Sequence, residues 1–186
     1  MRDGLDVRVA YLDHGPPSID DVARDGCVVV PLLLTSGFHV RVDIPGRSGN
    51  AAIAAAVGPD PLLSVALSDR LAEAGYDGHS PVVLAAAGSS DESARDDVHV
   101  MARHLAERVD AEVSVAFIAG GEPKLTDVRA AVLSSYLLAP GAFHDLAVAT
   151  GARVVSRPIG DHPVVAQAVL ARYDAAAQVP GRIAPA

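Results

Sequence analysis

Val28 to Pro45 reads VVVPLLLTSGFHVRVDIP, and it changes character in the middle. Val28 to Leu34 is an apolar run broken only by Pro31, too short for an independent helix and β-branched at its start, so it reads as a buried strand. Thr35, Ser36 and Gly37 then turn the chain, and His39 stands beside the turn. In an open parallel sheet the loops at the carboxyl ends of strands bind ligands, and a histidine there offers a neutral imidazole to a metal or to a proton in transfer. The competing reading is a solvated loop histidine.

A second copy favours the first reading. Val132 to His144, VLSSYLLAPGAFH, repeats the strand, the small-residue turn, an aromatic (Phe143) and a histidine, and His144 follows His39 by 105 residues. Upstream, VRVAYLDHGPPSIDDV from Val7 matches VSVAFIAGGEPKLTDV from Val113 at a separation of 106. Downstream, VGPDPLLSVALSDRL from Val57 matches IGDHPVVAQAVLARY from Ile159 at a separation of 102. Blocks in one order at nearly constant spacing indicate two copies of one α/β unit, with a period far too long for a solenoid. The expected boundary runs between residues 1–78 and 79–186.

The chain has 186 residues, half of them apolar, enough for a sizeable core built from Val, Leu, Ala and Ile because Trp is absent. A formal charge of −8 argues against a nucleic-acid partner and leaves no basic run for a membrane surface. Cys27, the single cysteine, reads as a core residue in a reducing compartment. With no membrane-length apolar run and no signal-peptide core at MRDGLDV, a cytoplasmic protein is expected.

In order, the pattern predicts a strand at Val7–Leu12, a short helix after Ser18, the histidine strand, a weakly marked strand at Ala51–Val57 and a helix over Pro59–Ala74. The second copy opens with a strand at Val82–Ala87, a GSSD turn and a helix over Ser93–Val109. It continues with a strand at Val113–Ala119, a short helix near Pro123–Ala131, the second histidine strand, a strand near Arg153–Arg157 and a helix from Pro163 to Ala177. Alternating strands and helices imply parallel sheets with right-handed crossovers. By the repeat offset, the first copy's counterpart of Val82–Val109 falls before Met1. The first copy is therefore expected to lack its opening strand and helix and to expose a sheet edge or an apolar helix face, with dimerisation or low stability as the result.

Together, VVVPLLLTSGFHVRVDIP, VGPDPLL, VVLAAAGSSD and SSYLLAPGAFHD resemble the sirohydrochlorin chelatase family, of the CbiX or SirB type, over nearly the whole chain. The resemblance implies two chelatase-like, flavodoxin-like units with parallel sheets, the first incomplete, and insertion of cobalt or ferrous iron into sirohydrochlorin in cobalamin or sirohaem synthesis. The metal is a substrate, and no tightly bound cofactor is implied. Two histidines act in the family: one in a His-Gly-Ser/Thr turn after the first strand, the other in a Gly-x-His turn after the third. His39 matches the second of these, as catalytic base and metal ligand, and His144 matches it in the second copy as a further metal ligand. The chain departs from the pattern at Ala87-Gly88-Ser89, where alanine takes the histidine's place, so the second copy is expected to be degenerate. His14 forms a His-Gly pair but follows the wrong strand.

Imidazole suits the chemistry, since it holds Co²⁺ or Fe²⁺ without the grip of a thiolate cluster and accepts pyrrole protons near neutral pH. Sirohydrochlorin carries many carboxylates, and Arg41 and Arg47 beside the His39 loop are the candidates to bind them, against a reading as ordinary surface arginines. Asp43 reads as an exposed loop acid, with a hydrogen bond that orients His39 as the alternative. His79, His99, His104 and His162 lack counterparts in the repeat, and no glycine-rich nucleotide fingerprint occurs. The alternative to a chelatase is a non-catalytic tetrapyrrole- or metal-binding member of the family.

Overall fold

Val82–Gly88 (β3) is apolar along its length, and a strand of that kind is buried on both faces. The computed structural model, which describes residues 4–13 and 15–178, sets it in the middle of a parallel four-stranded sheet. Val113–Gly120 (β4) lies on one side, and Val132–Tyr136 (β5) followed by Val154–Val155 (β6) on the other. Side chains alternate across a strand, and the cores follow that period of two. Val82, Leu84 and Ala86 enter a large core with Val115, Phe117, Val132 and Tyr136. Val83 and Ala85 enter a smaller one with Ala116, Leu133 and Ala147.

The larger core is covered by Pro61–Glu73 (α3), Glu92–Val109 (α4) and Pro163–Ala177 (α6). Each begins as its sequence directs. Asp60 accepts the Leu62 N–H at 2.8 Å and Asp91 the Ser93 N–H at 3.1 Å, while Pro61 and Pro163 occupy the first helical position, where no N–H is needed. His162, without a counterpart in the repeat, caps α6 by accepting the Val164 N–H. Leu63, Ala66, Leu67 and Leu71 of α3 are fully buried, against residues from both halves of the chain.

The first half carries a second parallel sheet of two strands, Val28–Val29 (β1) and Ala52–Ile53 (β2). Its elements recur at the separations of the sequence blocks: α3 and α6 start 102 residues apart, as do β2 and β6. Ile19–Val22 (α1) stands where Leu125–Asp127 forms a 3₁₀ turn, 106 residues on. Tyr11 donates its N–H to Pro17 O and Phe117 donates to Pro123 O, both at 2.9 Å.

Several expected elements differ, and the strands expected over Ala51–Val57 and near Arg153–Arg157 ladder only at Ala52–Ile53 and Val154–Val155. Val7–Leu12 joins no sheet, and Val7 is 78% and Val9 59% exposed. A strand is stable only against a neighbour, and β3, which pairs the matching β4, has no described counterpart in the first half. The strand expected over Val28–Leu34 ladders only at Val28–Val29, before Pro31, which has no N–H to donate; further on, Val57 and Gly58 donate to Pro31 O and Leu33 O. The helix expected near residues 123–131 shortens to the 3₁₀ turn. Among the described residues no helix is long and apolar enough to cross a membrane.

Two links between the halves are testable. Tyr136 in β5 donates its hydroxyl to Leu34 O at 2.9 Å, tying the four-stranded sheet to the residue before the Thr35–Gly37 turn. Burial, and then the charges of Asp97 and Asp60, push its phenol far above the usual range, so it stays a donor. Tyr136→Phe is expected to cost about 1 to 2 kcal/mol in urea unfolding, since it leaves the carbonyl unpaired with little change of volume. Asp77, between the halves, is held well below the usual carboxylate range by the Ser80 hydroxyl first, then by the Ser80 and His79 amides. Arg153 adds an ion pair at 3.0 Å. A depressed pKa contributes stability above the ordinary aspartate value near 4, lost as pH falls through the lower folded value. Melting temperatures measured from pH 6 to pH 2 are expected to decline more shallowly for Asp77→Asn, from a lower neutral starting point.

Candidate active site around His39

Thr35–Gly37 is positioned by α4. The Ser36 N–H donates to Asp97 Oδ2 at 2.7 Å, and a Cβ on Gly37 would stand 3.3 Å from the Ala94 Cβ. Beyond the turn the chain coils instead of looping. Val40 and Arg41 donate to Gly37 O, and Ile44 donates back to His39 O, so His39–Asp43 is one π-helical turn running into Ile44–Arg47 (α2). This winding brings residues four apart together. His39 Nδ1 lies 2.5 Å from Asp43 Oδ2. A carboxylate only accepts, so the proton sits on Nδ1 and the lone pair on Nε2 is left for a metal or another proton.

The ring of His39 is 54% exposed. Phe38 meets it edge to face with centroids 6.4 Å apart. Phe38, Val42 and Leu32 are all exposed. Arg41 reaches across to the start of α4, donating to Ser93 Oγ at 2.7 Å and pairing closely with Asp91. Arg47 pairs with Asp20 at 2.6 Å and donates to Leu12 O at 2.5 Å. Both arginines thus already hold acids of the chain. Arg41 keeps a half-exposed head, and Arg47 is more enclosed.

His144 occupies the matching place at the start of Ala142–Ala149 (α5), with different support. The Ser135 hydroxyl donates to Ser156 O at 2.7 Å, so towards His144 Nδ1, 3.3 Å away, it accepts. Its partner is neutral, and Val148 stands where Asp43 stands in the first half. Ala87, at the carboxyl end of the central strand, brings no imidazole to that position. One hollow, about 290 Å³, is lined by Leu137–Phe143; another, about 740 Å³, has Leu125, Arg129, Leu133 and Leu146 among its walls, and His39 borders neither. Among the described residues no three His, Cys, Asp or Glu side chains converge on one metal position. His14 lies outside the described residues. His79 belongs to a turn with Asp77 and His99 rests edgewise on Phe117.

Asp43 is the residue that sequence reasoning ranked too low. Its four-residue spacing from His39 was the available signal, and it carries weight only once the segment is known to be helical.

The fold is that of a chelatase-type α/β protein. SirB from Bacillus subtilis with Fe³⁺ superposes with a TM-score of 0.78 at 25% identity, covering 92% of this chain and 82% of that one. Sirohydrochlorin chelatase SirB from Bacillus subtilis subspecies spizizenii, in complex with cobalt, gives a TM-score of 0.73 at 25% identity over 92% and 80%. A multi-domain protein of Deinococcus radiodurans with structural similarity to chelatases shares the fold, with a TM-score of 0.61 at 21% identity over 90% of this chain and 45% of that one. No curated protein sequence matches. The CbiX family model matches residues 1–74 and 81–176, and the chain belongs to that family.

Proposed function

We propose that this protein inserts a divalent metal, cobalt or ferrous iron, into sirohydrochlorin, with His39 as metal ligand and proton acceptor. The observation that carries this reading is the exposed ring whose Nδ1–H is fixed by Asp43 at 2.5 Å, which leaves Nε2 as the free basic atom. Insertion forms metal–nitrogen bonds as two pyrrole N–H bonds break. Nε2 has one lone pair, so it holds the metal first and accepts a pyrrole proton only after the metal has passed to the macrocycle nitrogens. It releases each proton to water before accepting the next. Phe38 and Val42 supply an apolar surface for the flat macrocycle, and Arg41 and Arg47 meet its peripheral carboxylates in competition with Asp91 and Asp20. His144 is a weaker metal ligand, because its partner is a hydroxyl.

In this reading residues 1–78 form the working chelatase-like half and residues 79–186 a degenerate half that supports it. The setting is the cytoplasm, in cobalamin or sirohaem synthesis. Ala87 favours one alternative, a family member that binds tetrapyrrole or metal without turnover. Visible absorption of sirohydrochlorin with Co²⁺ or Fe²⁺ decides between them: a rate above the spontaneous one supports insertion, and binding with no change in that rate supports the alternative.

A further inference from the structure

His39 and Asp43 sit at opposite ends of one π-helical turn, and the two ends are anchored by different parts of the protein. The Asp43 end runs into Ile44, which is 3% exposed, and into Arg47, which bonds to Asp20 and to Leu12 O. Those are all first-half contacts. The His39 end is carried by α4 of the second half. Asp91, Ala94 and Asp97 stand three residues apart and share one stripe of that helix. Asp91, with Ser93, holds Arg41; Ala94 packs against Gly37; Asp97 accepts the Ser36 N–H at 2.7 Å.

These three contacts differ in what they can fix. Arg41 reaches Asp91 on a long, half-exposed side chain, and pairs of that kind hold a backbone loosely. Ala94 limits how near Gly37 comes without setting a direction. Asp97 is partly buried and takes hold of the main chain itself, through a charge-assisted bond three residues before His39. Among the described residues it is the one side chain bonded to the backbone of residues 36–39. The short His39–Asp43 bond needs both ends of the turn in place, so its near end depends on Asp97.

We infer that Asp97 is a positioning residue for His39, acting through the Ser36 amide. The inference rests on the proposed insertion chemistry, in which Nε2 must meet a macrocycle held by Val42 and Arg47 from the other end of the coil. A displacement of about 1 Å at a reacting group can lower a rate by up to about a hundredfold. The half that carries Ala87 in place of a histidine thus serves turnover by holding the histidine of the other half.

The test compares Asp97→Ala with Asp97→Asn, because asparagine keeps an oxygen that accepts the Ser36 N–H and alanine does not. With sirohydrochlorin and Co²⁺, Asp97→Ala is expected to lower kcat about tenfold while KM changes less than about threefold. Asp97→Asn is expected to recover kcat to within about threefold of the wild type. Asp77→Asn, which lowers stability away from the turn, is the control and keeps the wild-type kcat. A second readout needs no substrate. In ¹H–¹⁵N spectra near pH 8, Asp97→Ala is expected to move the two ring nitrogens of His39 towards a common averaged value, as the fixed Nδ1–H tautomer is lost, and Asp97→Asn to leave them near their wild-type positions. An unchanged kcat in Asp97→Ala overturns the inference, as do equal losses from the alanine and asparagine variants or ring nitrogens indifferent to both. A wild-type protein without insertion activity removes the proposed function alone, and the ring nitrogens then decide for or against Asp97.

Discussion

His39→Ala is expected to reduce metal insertion to the spontaneous rate, a loss of about a hundredfold or more if imidazole supplies the usual advantage of a positioned base. His144→Ala is expected to stay within about twofold. The two histidines match in the repeat, yet only His39 has a carboxylate at Nδ1; His144 has the Ser135 hydroxyl at 3.3 Å, and Val148 stands in place of the acid. Asp43→Ala separates positioning from general damage. It keeps the imidazole and removes what orients it, so about a tenfold loss is expected. Initial rates from visible spectra, taken between pH 6 and pH 9 with Co²⁺, provide all three comparisons. Equal losses from His39→Ala and His144→Ala would reject the assignment.

Gly88→Ala is expected to destabilise the fold by roughly 4 kcal/mol or more, or to prevent folding, by two separate mechanisms. Gly88 has φ +92°, in the region L-residues avoid, and a Cβ there would stand 2.0 Å from Gly120 O and 2.7 Å from Gly120 N and C. β3 and β4 shift register at this point, so the obstruction is backbone held by the sheet and cannot rotate aside. Gly75 and Gly78 serve as controls, each with φ +83° and nothing within 4 Å of the added Cβ. Alanine there meets only the conformational cost of about 1 kcal/mol. Urea unfolding of the three variants separates close approach from left-handed backbone. The glycine of the Ala87-Gly88-Ser89 turn is thus required by strand geometry whether or not a histidine precedes it.

Strands with apolar faces on both sides, and helices with one apolar stripe, are legible because their signal is local. The helix expected from Pro163 to Ala177 is found with those ends, and β3, β4 and α4 begin or end within a residue of expectation. Val7–Leu12 reads as a strand because its residues match β4; what differs is the neighbour, which the repeat offset already leaves unmatched in the first half, and pairing rather than composition decides the outcome. The His39 segment was read as a loop because its turn residues precede an apolar-polar mixture with no clean period; packing of Gly37 against Ala94 and the Ser36–Asp97 bond start a helical turn there. Asp43 and the partners of Arg41 were hidden for the same reason. The first depends on how tightly the segment winds, and the second on where α4 begins in space.

By itself, the sequence determined that the chain is an α/β protein with parallel strands and that an imidazole stands beside the Thr35–Gly37 turn at position 39. Hydrophobic period and residue order suffice for that, since each is a property of neighbouring residues. Only the tertiary structure decided which strand edges are paired, that α3 is buried against both halves, and that Asp43 rather than a distant group supports the ring. Those outcomes depend on contacts between segments far apart in the chain, whose free energy no local pattern encodes.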